Sequence, residues 1–120
     1  MVQFQLRIYT LATREAAETY AHIHWNRHVP SLERFGICTH AVYQETGTAG
    51  RAAGPEVPPD GNGQTRVCAL VSYDGEDFAA QNARYMASPE FRADMEGFDP
   101  RNIVNVEELN LEQVDLGLAE

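Results

Sequence analysis

His24 and His28 stand four residues apart in the stretch HWNRH, and imidazole is the side chain that gives and takes a proton near neutral pH. Read as a helix at about 100° per residue with Ala17 at zero, Ala21 falls near 40°, His24 near 340°, His28 near 20° and Tyr20 near 300°. The five share one face. Glu15, Thr19, His22 and Asn26 collect on the opposite side, with Glu18 nearer the border, so polar neighbours define the stripe as much as its own members do. The two rings are therefore expected to point inward, and the small Ala17 and Ala21 beside them to leave a cavity. His24 and His28 become the candidate catalytic pair, with Tyr20 adding a hydroxyl one turn earlier. Trp25 is expected as a core anchor beside the pocket. Arg27 borders the stripe, placed to orient a carboxylate or a developing enolate. His40, further along, reaches the same space if its side of a strand faces the helices. Tyr20, Trp25, Arg27 and His40 thus stand as candidate substrate-binding residues. The competing reading makes both helix histidines core groups satisfied by local hydrogen bonds.

Three histidine nitrogens also raise metal ligation, because H-x-x-x-H is a chelating spacing on a helix. Trp25 stands where the zincin motif has its acid, so no metal is assigned. Lys is absent, which excludes Schiff-base chemistry at a lysine and a phosphate-binding P-loop. No dinucleotide turn, nucleophile elbow or Ser-His-Asp order is legible. The expected chemistry needs no cofactor.

Two helices and four strands must position these groups. Val2 to Leu11 alternates with period two, Val2, Phe4, Leu6 and Ile8 on one side and Gln3, Gln5, Arg7 and Tyr9 on the other. The apolar side is expected under the helices. Thr13 reads as an N-cap and Glu15 suits the first turn, while Pro30 should kink or restart the helix before Gly36 ends it. Cys38 to Thr46 makes a second strand, and the Gly- and Pro-rich stretch 47–64 reads as a long mobile loop, a hairpin insertion in preference to a substrate lid. Thr65 to Tyr73 is the most apolar strand and should be central. Tyr9, Tyr43 and Tyr73 read as aromatic packing residues of their strands. Asp77 to Met86 and Ser88 to about Met95 are helical, Ser88-Pro89 supplying an N-cap and a first-turn proline. Ile103 to Leu109 is the last strand, followed by an acidic tail from Asn110 to Glu120.

The order strand, helix, strand, strand, helix, strand predicts an α+β fold: a ferredoxin-like β-α-β-β-α-β unit whose four-stranded antiparallel sheet has helices on one face. The half-polar outward sides of the first and last strands, Arg7 and Tyr9 with Asn105 and Glu107 beside Ile103 and Leu109, suit a second sheet better than water, so a homodimer is expected.

The whole chain of 120 residues fits one domain. Its 18 acidic side chains against 9 basic ones leave a formal charge of −9. Such an excess repels phosphate backbones and anionic lipid, so neither nucleic acid nor a membrane is expected as partner. The longest apolar runs are too short to span a bilayer, and the N-terminus carries no secretion pattern, which predicts a soluble cytoplasmic protein. Cys38 and Cys68 are then expected as reduced, buried small hydrophobes.

QLRIYTL at Gln5 to Leu11, HWNRHVPSLERFGI at His24 to Ile37 and ARYMASPEFRADMEGFD at Ala83 to Asp99 resemble the NIPSNAP-type branch of the dimeric α+β barrel superfamily. The resemblance departs at Gln5, where the family's opening strand often has Glu, an exchange that removes a charge from what is expected to be the outward face. It implies the barrel-forming dimer. Relatives in that superfamily include cofactor-free oxygenases, cyclases, isomerases, dehydratases and haem binders, so shared architecture does not choose a chemistry. Taken with the histidine stripe, the sequence reads as a small cofactor-independent enzyme. Histidine acid/base chemistry would act on an aromatic or polyketide-like molecule, in an isomerisation, cyclisation or dehydration. The alternatives are a non-catalytic dimer that holds a hydrophobic ligand and a cofactor-free monooxygenase.

Overall fold

Alternation along the first segment makes a strand, β1 (Gln3–Leu11), that runs between two others. The computed structural model describes residues 2–47, 63–75 and 77–117. The four strands lie in the order β2 (Ile37–Gln44), β3 (Thr65–Tyr73), β1, β4 (Ile103–Leu111), all neighbours antiparallel, the ferredoxin-like arrangement. β3 and β1 are central, in keeping with the apolar composition of β3.

The helices start where side-chain oxygens accept otherwise orphaned backbone N–H groups. Thr13 Oγ1 accepts from Ala16 at 3.0 Å ahead of α1 (Arg14–Thr19). Asp77 accepts from Ala80 at 3.0 Å ahead of α3 (Phe78–Met86), and Ser88 accepts from Phe91 at 3.1 Å ahead of α4 (Pro89–Asp94), with Pro89 in the first turn. The chain does not break at Pro30. α1 runs through a π turn at Tyr20–His24 directly into α2 (Trp25–Glu33), and Pro30 sits exposed inside α2. Its missing N–H costs one helical hydrogen bond, but the turns on either side carry the helix through. Gly36, at φ +82°, then ends the turn after α2 in the left-handed conformation expected of it.

One expectation is reversed. Gln5, Arg7, Tyr9 and Leu11 face the helices and are buried, whereas Phe4, Leu6 and Ile8 are only half-buried on the open face. Hydrophobic alternation chooses between faces only when one of them is polar enough to need water. Here Arg7 finds neutral partners under the helices and its guanidinium lies 5.0 Å over the Phe78 ring, so the polar side is the one that can be covered.

The open face carries an apolar row. Leu109 pairs Leu6, Leu6 pairs Leu70, and Leu70 pairs Ala41, across all four strands. Asn105 and Glu107 share this face through their pairing with Thr10 and Ile8, but Arg7 and Tyr9 do not. β4 also runs two residues beyond its expected end, taking Asn110 and Leu111 from the tail. Cys38 and Cys68 are free thiols, Cys38 exposed and Cys68 half-buried, where both had been expected in the core. The loop expectation for 47–64 falls almost wholly outside the described residues. No helix among the described residues is long and apolar enough to cross a membrane.

Candidate active site

Asp94 is where the site is organised. Three residues of the long helix converge on it: His24 Nδ1 donates to its backbone carbonyl at 2.8 Å, Arg27 Nη1 does so at 3.3 Å, and His28 Nδ1 stands 3.6 Å from its carboxylate. Between His28 and that carboxylate lies the Tyr85 hydroxyl, which donates to Asp94 Oδ2 at 2.6 Å and accepts from His28 Nδ1. This chain of bonds assigns the ring its proton on Nδ1 and leaves Nε2 as a lone pair with no protein partner among the described residues.

The π turn sets the phase of this helix. Trp25 N–H reaches back five residues to the Tyr20 carbonyl, so one extra residue is absorbed between Tyr20 and Trp25. Tyr20, His24, Trp25, His28 and Leu32 are all buried in consequence.

Beside His28 lies a cavity of about 200 Å³ between the helices and the β1–β4 side of the sheet. Arg7 and Tyr9 line it from β1, Tyr20, Trp25, His28 and Leu32 from the long helix, and Asn82, Tyr85 and Met86 from α3. Phe91 and Met95 close the α4 end, with Ile103, Val106 and Glu108 on β4. An apolar cavity of about 150 Å³ is enough to hold benzene, so this one admits an aromatic ring with a substituent.

Burial controls the titration of the site. It pushes His28 down to about 4, with Asp94 pulling the other way and His24 and Arg7 adding to the depression. Burial and then the Asp94 hydrogen bond hold the Tyr85 phenol well above the ordinary tyrosine range, which keeps its donor proton in place. The Tyr20 phenol is raised as well, by burial first and then by Tyr9. Its ring meets Tyr9 edge-on at 5.2 Å and Phe98 at 5.1 Å.

Of the residues singled out by spacing, His28, Tyr20 and Trp25 come together on the cavity wall. His24 is buried with them but does not line the space: its ring packs against Phe98 at 5.1 Å and its Nδ1 is committed to Asp94. Arg27 binds the carbonyls of Asp94 and Glu96 at the end of α4, away from the cavity. His40 lies on the opposite face of the sheet, its Nε2 at 2.6 Å from Ser72 Oγ and its ring 5.4 Å from Phe4. A bulge between Thr39 and Ala41 puts it there. The three histidines therefore do not converge, and the described residues contain no group of three His, Cys, Asp or Glu side chains placed to hold a metal. Ala17 and Ala21 do not line the cavity either, Ala17 being fully buried in the core.

Arg7, Tyr9, Asn82, Tyr85 and Asp94 escaped the sequence reading. Arg7 and Tyr9 were assigned to the outward side of β1. Asp94 carried only a weak signal, as a carboxylate on the last turn of a short, half-charged helix, three residues after Phe91 and next to Met95.

No protein-family model matches the sequence, and no curated protein matches it. Solved structures do. An uncharacterised NIPSNAP-like domain protein from Burkholderia xenovorans superposes with a TM-score of 0.59 at 20% identity, over 96% of this chain and 87% of that one. The chain has the NIPSNAP-type fold. A second uncharacterised NIPSNAP domain protein from the same organism aligns over 97% of each chain, with a TM-score of 0.53 at 15% identity. At these identities the NIPSNAP-type likeness is one of architecture, and the ferredoxin-like sheet described above is what is shared.

Proposed function

We propose that this chain is a small cofactor-independent enzyme that moves protons on an aromatic or polyketide-like molecule, as an isomerase, cyclase or dehydratase. His28 is the acid/base group. The observation that carries this reading is the relay from the Asp94 carboxylate through the Tyr85 hydroxyl to His28 Nδ1, which turns the lone pair of Nε2 loose beside an apolar cavity. A base needs a fixed tautomer, a partner for the charge it acquires, and a space for its substrate. His28 has support for all three. His24 and Arg27 act as positioning residues by fixing the Asp94 backbone, and Tyr20 and Trp25 shape the cavity wall.

The test uses 2-tetralone, a bicyclic ketone with acidic C–H bonds, in deuterated buffer at neutral pH. Exchange of those hydrogens followed by NMR is expected to run faster with protein than with buffer. His28→Gln should remove the acceleration, roughly 10²- to 10⁴-fold for a general base. Exchange at the buffer rate with the wild-type protein, or an unchanged acceleration in His28→Gln, overturns the assignment.

The depressed basicity of His28 favours a second reading. A base at about 4 is far from the operating pH, where proton transfer is most efficient, and a non-catalytic dimer that holds a hydrophobic ligand would leave the ring neutral. Ligand binding without exchange would support that reading.

We also propose that the active form is a cytoplasmic homodimer in which a second copy covers the row of Leu109, Leu6, Leu70 and Ala41. An apolar face spanning all four strands is the support for it.

A further inference from the structure

We infer that Arg7 makes the cavity selective for an anionic ligand, an apolar ring carrying one carboxylate or enolate oxygen. The inference rests on the reading of this cavity as the substrate site and names the class of molecule it takes.

Arg7 is only 5% exposed, and a buried guanidinium is costly unless its charge is met. Its partners are all neutral: Nε donates to Gln5 Oε1 at 3.2 Å, Nη2 to Asn82 Oδ1 at 2.7 Å and Nη1 to the Tyr9 hydroxyl at 3.5 Å. These acceptors take three of the five N–H groups that a guanidinium offers. No carboxylate among the described residues forms an ion pair with it. Gln5 in turn is held by its own donation to Asn110 at 3.1 Å, which fixes its oxygen toward Arg7.

The guanidinium face is covered by Phe78, so the unfilled N–H edge is left for the cavity that Arg7 lines. Two acids lie near. Asp94 is engaged by Tyr85, and Glu108, the one carboxylate on the cavity wall, is an exposed residue on β4 opposite Arg7. A planar carboxylate suits the fork of a guanidinium, whose charge-assisted bonds are about twice as strong as neutral ones. The walls around it are largely aromatic and aliphatic, which suits the ring. Across this cavity an anion on Arg7 would present its ring carbons to His28.

The experiment compares 2-naphthoate with its neutral isostere 2-naphthamide by titration calorimetry at neutral pH. The wild-type protein should bind the carboxylate at least tenfold more tightly. Gln5→Glu places a carboxylate where the Gln5 amide oxygen now meets Arg7 Nε and should erase that preference, with circular dichroism confirming the fold. Arg7→Gln should do the same. Equal binding of both compounds by the wild-type protein overturns the inference without using any variant, and so does a preference that survives Gln5→Glu. Binding of neither overturns it together with the cavity's role. Because the tetralone exchange reads His28 alone, a kept naphthoate preference with no exchange leaves the anion site standing and removes only the proton transfer.

Discussion

His28 illustrates what burial does to one titratable group. Its pKa in the fold lies below its value in the unfolded chain, so between about 4 and 6.5 the unfolded chain binds more protons than the native one. The stability this group contributes is therefore fully present above pH ~6.5 and is lost as the pH falls toward about 4, on the order of 3 kcal/mol across the whole window. Most carboxylates titrate below that window. Chemical denaturation of wild-type and His28→Gln protein at intervals through it should show a falling stability in the first and a flatter profile in the second. Parallel profiles would contradict the burial account. The same residue makes a further link to Arg7. An anion held by the guanidinium would stand near His28 and favour its protonated form, so naphthoate binding should take up protons in weakly acidic buffer, read as a binding enthalpy that depends on the ionisation heat of the buffer.

At the scale of elements, Pro30 departs from the expected restart, because the helix runs on through it. It lies in a continuous helix, on the exposed side, and deprives the Asn26 carbonyl of its ordinary donor. Proline costs about 3 kcal/mol relative to alanine in a helix interior, a figure that already includes its stiffening of the unfolded chain. Pro30→Ala should therefore raise stability by up to about 3 kcal/mol, measured by denaturant unfolding, with no loss of naphthoate binding. Much of the fold was legible because caps and periods state it locally. Thr13, Ser88-Pro89 and Gly36 act where their chemistry says they should. The histidine stripe was legible for the same reason, as a matter of angle along one helix. The orientation of β1 was not, since Gln5 and Arg7 are buried through bonds to Asn110 and Asn82, more than seventy positions away. Nor was His40, which a bulge aims at the other side of the sheet. Asp94 gains its importance only when α4 meets the long helix. Long-range partners, invisible to any local period, decide each of these.

For the molecule as a whole, the helices cover one side of the sheet and leave the other to a row of leucines. Leu109 is 47% exposed at the β4 end of that row. Leu109→Arg would put a charge into any sheet-on-sheet contact while leaving the cavity side of β4 untouched. Sedimentation should give a dimer for the wild-type protein and a monomer for this variant, and a wild-type monomer would remove the homodimer proposal. The fold itself does not depend on that outcome.

That uncovered row also changes what a melting temperature means for this chain. If two sheets close on each other, unfolding is linked to dissociation, and the midpoint must climb as the protein is concentrated. Dilute samples would then look fragile and concentrated ones robust with no difference in sequence or buffer. A newly made copy would reach its full stability only on meeting another.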